Sequence, residues 1–131
     1  MLVLDQECRS VLITDDAEDT RQFLRALMEF LGCEVIEASD GQAAVEIVRQ
    51  KCPDLILLDL HMPKMDGLAT AEKIREIKGP CERVPIIALT AFNTHGMREA
   101  AIAAGCVDYV RKPIDQKQFQ RLLKRLFPDS F

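Results

Sequence analysis

Apolar positions along the chain alternate between two spacings, and the alternation recurs five times. Ser10-Val-Leu-Ile-Thr14 is a short continuous apolar run that stops at Asp15-Asp16. From Glu18 to Leu31, the residues Phe23, Leu24, Leu27, Met28, Phe30 and Leu31 fall at helical spacing, and Gly32 closes the segment. Glu34–Ala38 alternates weakly and predicts an edge strand. Asp40-Gly41 is a turn, after which Ala44, Val45 and Val48 mark a helix that ends before Pro53. Asp54-Leu-Ile-Leu-Leu-Asp59 is apolar on both faces and predicts a central strand. A loop over His61–Met65 leads to Asp66-Gly67, which opens a helix carrying Leu68, Ala71, Ile74 and Ile77. Gly79-Pro80 breaks that helix, and Val84–Leu89 predicts a fourth strand ending at Thr90. An Ala-rich helix over Met97–Ala104, a strand over Val107–Val110 and a helix with Phe119, Leu122, Leu123 and Leu126 complete the pattern.

Five strands alternating with five helices argue for a parallel sheet with helices on both faces. Right-handed crossovers leave few topologies for 131 residues. The favoured one is the flavodoxin-like doubly wound (βα)5 fold, a five-stranded parallel sheet in the order 2-1-3-4-5. The length suits one domain with its own core. The expected division is an N-terminal extension over 1–9, the domain over 10–127 and a C-terminal tail over 128–131. No run approaches the roughly 20 apolar residues of a membrane span. Charge interrupts the first nine residues, so they form no signal peptide. A cytoplasmic domain is expected.

Charge sharpens the picture. The 17 basic and 21 acidic residues give −4 overall, which argues against a general nucleic-acid binder. Residues 1–60 carry 13 acids and 5 bases, whereas 61–131 carry 8 acids and 12 bases. The basic excess ends in the last helix and reads as a solvated face. Five cysteines form no C-x-x-C, and their odd number in a reducing compartment predicts thiols. Cys33 and Cys106, each after a glycine, read as small buried apolar groups.

In open α/β sheets, sites form outside the carboxyl ends of the strands, at the point where strand order reverses. Here those ends supply Asp15 and Asp16, Asp59, Thr90 and Lys112. An Asp before a helix is often only a cap. Two adjacent Asp with a third on the neighbouring strand are harder to explain so. Two carboxylates ~4 Å apart at an effective dielectric of ~20 repel by about 4 kcal/mol. Such a cluster is costly without a cation, and oxygen-only ligands suit Mg2+. Lys112 and Thr90 could then hold phosphoryl oxygens, and a carboxylate can itself be a nucleophile, with Asp59 the candidate on the central strand.

Taken together, Asp15-Asp16, Leu58-Asp59 followed by Met62-Pro63 and Asp66-Gly67, Leu89-Thr90-Ala91 and Lys112-Pro113 resemble the response-regulator receiver domain of two-component signalling, over roughly residues 10–127. The resemblance implies that Asp59 accepts a phosphoryl group from a histidine kinase or a histidine phosphotransfer protein. It implies direct Mg2+ ligation by Asp16, Asp59 and the backbone carbonyl of His61, with Asp15 acting through water. Thr90 and Lys112 would bind phosphoryl oxygens, Lys112-Pro113 would be cis, and Tyr109 would be the switch aromatic that follows Thr90. Output to a target protein would pass through helix 4, strand 5 and helix 5, with homodimerisation left open and neither nucleic acid nor membrane as partner. The chain would assist its own phosphorylation and dephosphorylation without turning over a conventional substrate.

His61 and Phe92 flank the mouth of the site, where the family tunes the access of water. The His61 ring is expected to line the rim, and His95 to have no chemical role. Three other function classes fit less well. A receiver-like binding module without chemistry would lack one of the acids or the Lys. A haloacid-dehalogenase-type phosphohydrolase would carry Asp-x-Asp after strand 1, where this chain has Asp15-Asp16-Ala17-Glu18. A dinucleotide binder would need G-x-G-x-x-G there.

Overall fold

The computed structural model describes residues 8–62, 65–91 and 96–131. Pro63, Phe92 and His95 lie outside the described residues. The strands are β1 Ser10–Thr14, β2 Glu34–Ala38, β3 Leu55–Asp59, β4 Ile86–Thr90 and β5 Asp108–Arg111. The helices are α1 Glu18–Phe30, α2 Gly41–Gln50, α3 Gly67–Glu76, α4 Met97–Ala103 and α5 Gln116–Leu126. A 3-10 turn over Pro80–Arg83 connects α3 to β4. All strand pairs are parallel, in the order β2-β1-β3-β4-β5. The flavodoxin-like order read from the apolar pattern is therefore the order found.

Strand alternation divides the core in two. Leu12, Ile56, Leu58, Ile86 and Ala88 face α2, α3 and α4, whose Val45, Val48, Ala71, Ile74 and Ala101 cover them. Val11, Ile13, Leu55, Leu57, Ile87 and Leu89 face α1 and α5, which contribute Leu24, Met28, Phe119 and Leu123. Every residue of β3 and β4 is buried, as the two-sided apolar runs required, and the edge strands β2 and β5 are only partly covered. Each such fully buried large side chain contributes about 1.5–3 kcal/mol, so the sheet is held from both faces and its strand ends are fixed.

Caps and turns tie the helices to that sheet. Asp40 and Asp66 cap α2 and α3 by accepting from Ala43 N and Ala69 N. α1 starts differently: Ala17 occupies its cap position, while Asp15 Oδ1 accepts from Ala17 N at 2.9 Å. β4 begins two residues later than its apolar run. Val84 N closes the 3-10 turn on Cys81 O, and proline at 85 has no N–H to give the ladder. Gly67 is required by close approach, because a Cβ there would lie 2.4 Å from Asp59 O and 2.5 Å from Leu60 Cα.

The cysteines depart from expectation at one pair. Cys8, Cys33 and Cys106 are buried thiols, whereas Cys52 and Cys81 form a disulfide with Cα atoms 5.5 Å apart. The fold brings the α2–β3 connection against the 3-10 turn, a proximity invisible in the spacing of 29 residues. Cys8, the first described residue, and the C-terminal residues are also held to the body. Cys8 N donates to Ser130 Oγ at 2.7 Å, and Phe131 meets the buried Phe127 edge-on. Among the described residues no helix is long and apolar enough to cross a membrane.

Candidate functional site

The parallel register brings the polar residues to one edge. Thr14 is paired with Ala38 and Leu58, and Asp59 with Leu89, so Asp15, Asp59 and Thr90 emerge at nearly the same height. Lys112 follows β5 directly, and its N–H donates to Thr90 O at 2.7 Å. The Lys112-Pro113 peptide is cis, as the resemblance implied. Asp15, Asp16 and Asp59 each present a carboxylate oxygen, all within 4.8 Å of one another. Asp15 is fully buried, Asp59 is 2% exposed, and Asp16 faces solvent.

Lys112 Nζ lies 2.7 Å from Asp15 Oδ2 and 3.5 Å from Asp59 Oδ2, bridging the two buried acids. One ammonium among three carboxylates leaves a formal surplus of two negative charges. The strain shows at Asp59, whose carboxyl is pushed up to about 6, first by burial and then by the charges of Asp15 and Asp16. The His61 N–H, donating to Asp59 Oδ1 at 3.0 Å, and the Lys112 charge oppose that rise. The donor set is all oxygen, one member opens to water, and the charge deficit matches one divalent cation. These residues therefore fit a hard cation such as Mg2+.

The His61 ring is also engaged. Its Nε2 lies 3.0 Å from the Thr90 hydroxyl, and Thr90 is fully buried. The sequence placed this ring at the rim of the site, and its contact with Thr90 lay beyond sequence reasoning. Two further residues escaped it. Arg21 Nη1 donates to Asp15 O at 2.7 Å and holds the main chain beneath the acids. Gly67 lets α3 pack directly on the Asp59 carbonyl; Asp66-Gly67 had signalled the cap, not the contact. Tyr109 is half-buried against the α2–α4 core, with the Arg98 guanidinium 5.6 Å above its ring. Arg98 pairs with Asp108 at 2.9 Å.

Comparison with known proteins agrees with this geometry. Residues 11–124 match the response regulator receiver domain family. The polar-differentiation response regulator DivK of Brucella anthropi is 33% identical over 122 residues, covering 93% of this chain and 98% of DivK. A probable transcriptional regulator, ycf27 of Guillardia theta, is 36% identical over 94% of this chain, which spans only 47% of that longer protein. Among solved structures, the receiver domain of the Pseudomonas aeruginosa sensor histidine kinase PA1611 superposes with a TM-score of 0.81 at 35% identity. That match covers 89% of this chain and 95% of the other, which carries a magnesium ion in its active-site cleft. The Saccharomyces cerevisiae Ssk1 receiver domain, crystallised with the histidine phosphotransfer protein Ypd1, gives a TM-score of 0.80 at 27% identity, covering 90% of this chain and 88% of the other. This chain belongs to the response-regulator receiver family, the phosphoacceptor modules of two-component signalling.

Proposed function

We propose that Asp59 is the phosphoacceptor and that the receiver unit spans residues 10–127. The observation that carries this reading is the bracketing of one buried carboxylate on the central strand by two acids and one lysine. Asp16, Asp59 and the His61 carbonyl would hold Mg2+, with Asp15 reaching it through water. The bound cation would neutralise charge on the acceptor and on the incoming phosphoryl oxygens. An Asp59 carboxylate oxygen attacks phosphorus, the P–N bond of the phosphohistidine breaks, and its electron pair returns to the imidazole. Lys112 would bind the phosphoryl oxygens, where the negative charge lies, and the Thr90 hydroxyl would follow them. The product is an acyl phosphate on the chain itself, so the site turns over its own modification and no separate substrate.

The donor is a phosphohistidine-bearing domain, as the Ssk1–Ypd1 complex supports. A shallow groove of about 330 Å³ beside the site, lined by Phe23, Pro113 and Ile114, offers an apolar landing surface for it. Output goes through the α4, β5 and α5 face around Tyr109. There a groove of about 710 Å³ carries, among the described residues, Arg98, Arg111, Arg121, Lys124 and Arg125 against the one acid Asp108. A symmetric dimer across this face would set those cations against their own copies, so an acidic segment of another protein is the better complement. The setting is the cytoplasm.

Transfer of labelled phosphate from a phosphohistidine phosphotransfer domain tests the reading. Label should reach the wild-type chain only with Mg2+ and leave it on treatment with hydroxylamine. Label retained by Asp59→Asn would contradict it.

A further inference from the structure

His61 touches the acceptor and the switch residue at once. Its main-chain N–H donates to Asp59 Oδ1 at 3.0 Å, and its ring Nε2 lies 3.0 Å from Thr90 Oγ1. The two side chains so linked end the adjacent strands β3 and β4. Thr90 has little other freedom: it is fully buried, and its carbonyl is held by Lys112 N at 2.7 Å. With Nε2 as the acceptor, the single hydroxyl proton is given to the imidazole and can be donated to a phosphoryl oxygen on Asp59 only by leaving the ring.

Building on the phosphoacceptor reading above, we propose that His61 is a positioning residue whose ring latches the Thr90 hydroxyl in the resting state, so that phosphoryl capture at Asp59 has to break this bond. The main-chain anchor makes the latch responsive, because a group added to Asp59 also competes with the His61 N–H for the carboxylate. A resting state that includes this hydrogen bond lowers apparent affinity for a phosphoryl-like ligand by the fraction of molecules still latched. The net worth of one hydrogen bond sets that penalty at about two- to tenfold.

Beryllofluoride with Mg2+ is the probe, since it mimics the phosphoryl group at a carboxylate without needing a donor. The single Tyr and the absence of Trp make Tyr109 fluorescence a direct readout of the switch. His61→Phe keeps a ring and the backbone carbonyl but removes the bond, and should tighten beryllofluoride binding about two- to tenfold. His61→Gln, whose amide can still bond the hydroxyl, should restore most of the wild-type value. In a Thr90→Val background, His61→Phe should change nothing. Unchanged or weaker binding by His61→Phe overturns the latch, and so does tightening that persists without the Thr90 hydroxyl. Melting curves check that each variant is folded, and His61→Leu replaces the Phe variant if the larger ring prevents folding. Failure of the wild type to bind beryllofluoride with Mg2+ is a separate result that contradicts the phosphoacceptor reading itself.

Discussion

Replacing Asp59 by Asn should stabilise the metal-free protein near neutral pH, although it removes the residue at the centre of the site. Burial and the neighbouring acids raise the Asp59 carboxyl from 3.8 to about 6. Between those two pH values the folded chain holds a proton that the unfolded chain has released, so stability falls as pH rises through this window. Roughly two pH units at about 1.4 kcal/mol each place the cost of an ionised Asp59 at about 3 kcal/mol above pH 6. Asn carries no charge and avoids most of that cost. Thermal melts at pH 7.5 without divalent cations should therefore show Asp59→Asn melting higher than wild type, by about 3 °C per kcal/mol gained. The gap should close as pH falls toward 4. Mg2+ at ten times its Kd should add about 1.4 kcal/mol to the wild type and less to the variant. Asp59→Asn melting lower at pH 7.5, or a gap that ignores pH between 4 and 7, would refute the argument that desolvation and like charge dominate this carboxyl.

Three further outcomes are expected. Gly67→Ala would push a methyl against the Asp59 carbonyl and Leu60 Cα, backbone atoms that cannot step aside; a loss of about 1–3 kcal/mol in denaturant unfolding and weaker Mg2+ binding should follow, and an unchanged midpoint would contradict it. Reduction of the Cys52–Cys81 disulfide, or Cys52→Ser, reopens a loop of 29 residues; the chain-entropy argument sets the loss at about 3–4 kcal/mol, read as a lower melting temperature. Phe92 is bulky and apolar two residues after Thr90; Phe92→Glu should shorten the lifetime of the phosphorylated chain by admitting water, and an equal decay rate would count against that role.

Much of the site could be read before the structure because strand ends coincide with changes of residue type. Ser10–Thr14 and Leu55–Asp59 are apolar until their carboxyl ends, so Asp15 and Asp59 had to share an edge once the strands were parallel neighbours. Cis Lys112-Pro113 followed from the family pattern. Contacts between loops remote in sequence were not legible. His61 meets Thr90 across 29 residues, and Arg21 reaches Asp15 O from the first turns of α1. The Cys52–Cys81 pair likewise depends on how α2 and α3 pack, which spacing does not encode. The shift of β4 to Ile86 had a local cause, Pro85, and was recoverable in principle from the missing N–H.

The most direct test of the central claim is the intact mass of the protein after incubation with acetyl phosphate, with and without Mg2+, beside Asp59→Asn. The wild type should gain one phosphoryl group only when Mg2+ is present, and the variant should gain none. An adduct that forms without Mg2+, or one that survives in Asp59→Asn, would contradict the assignment of Asp59 as the acceptor.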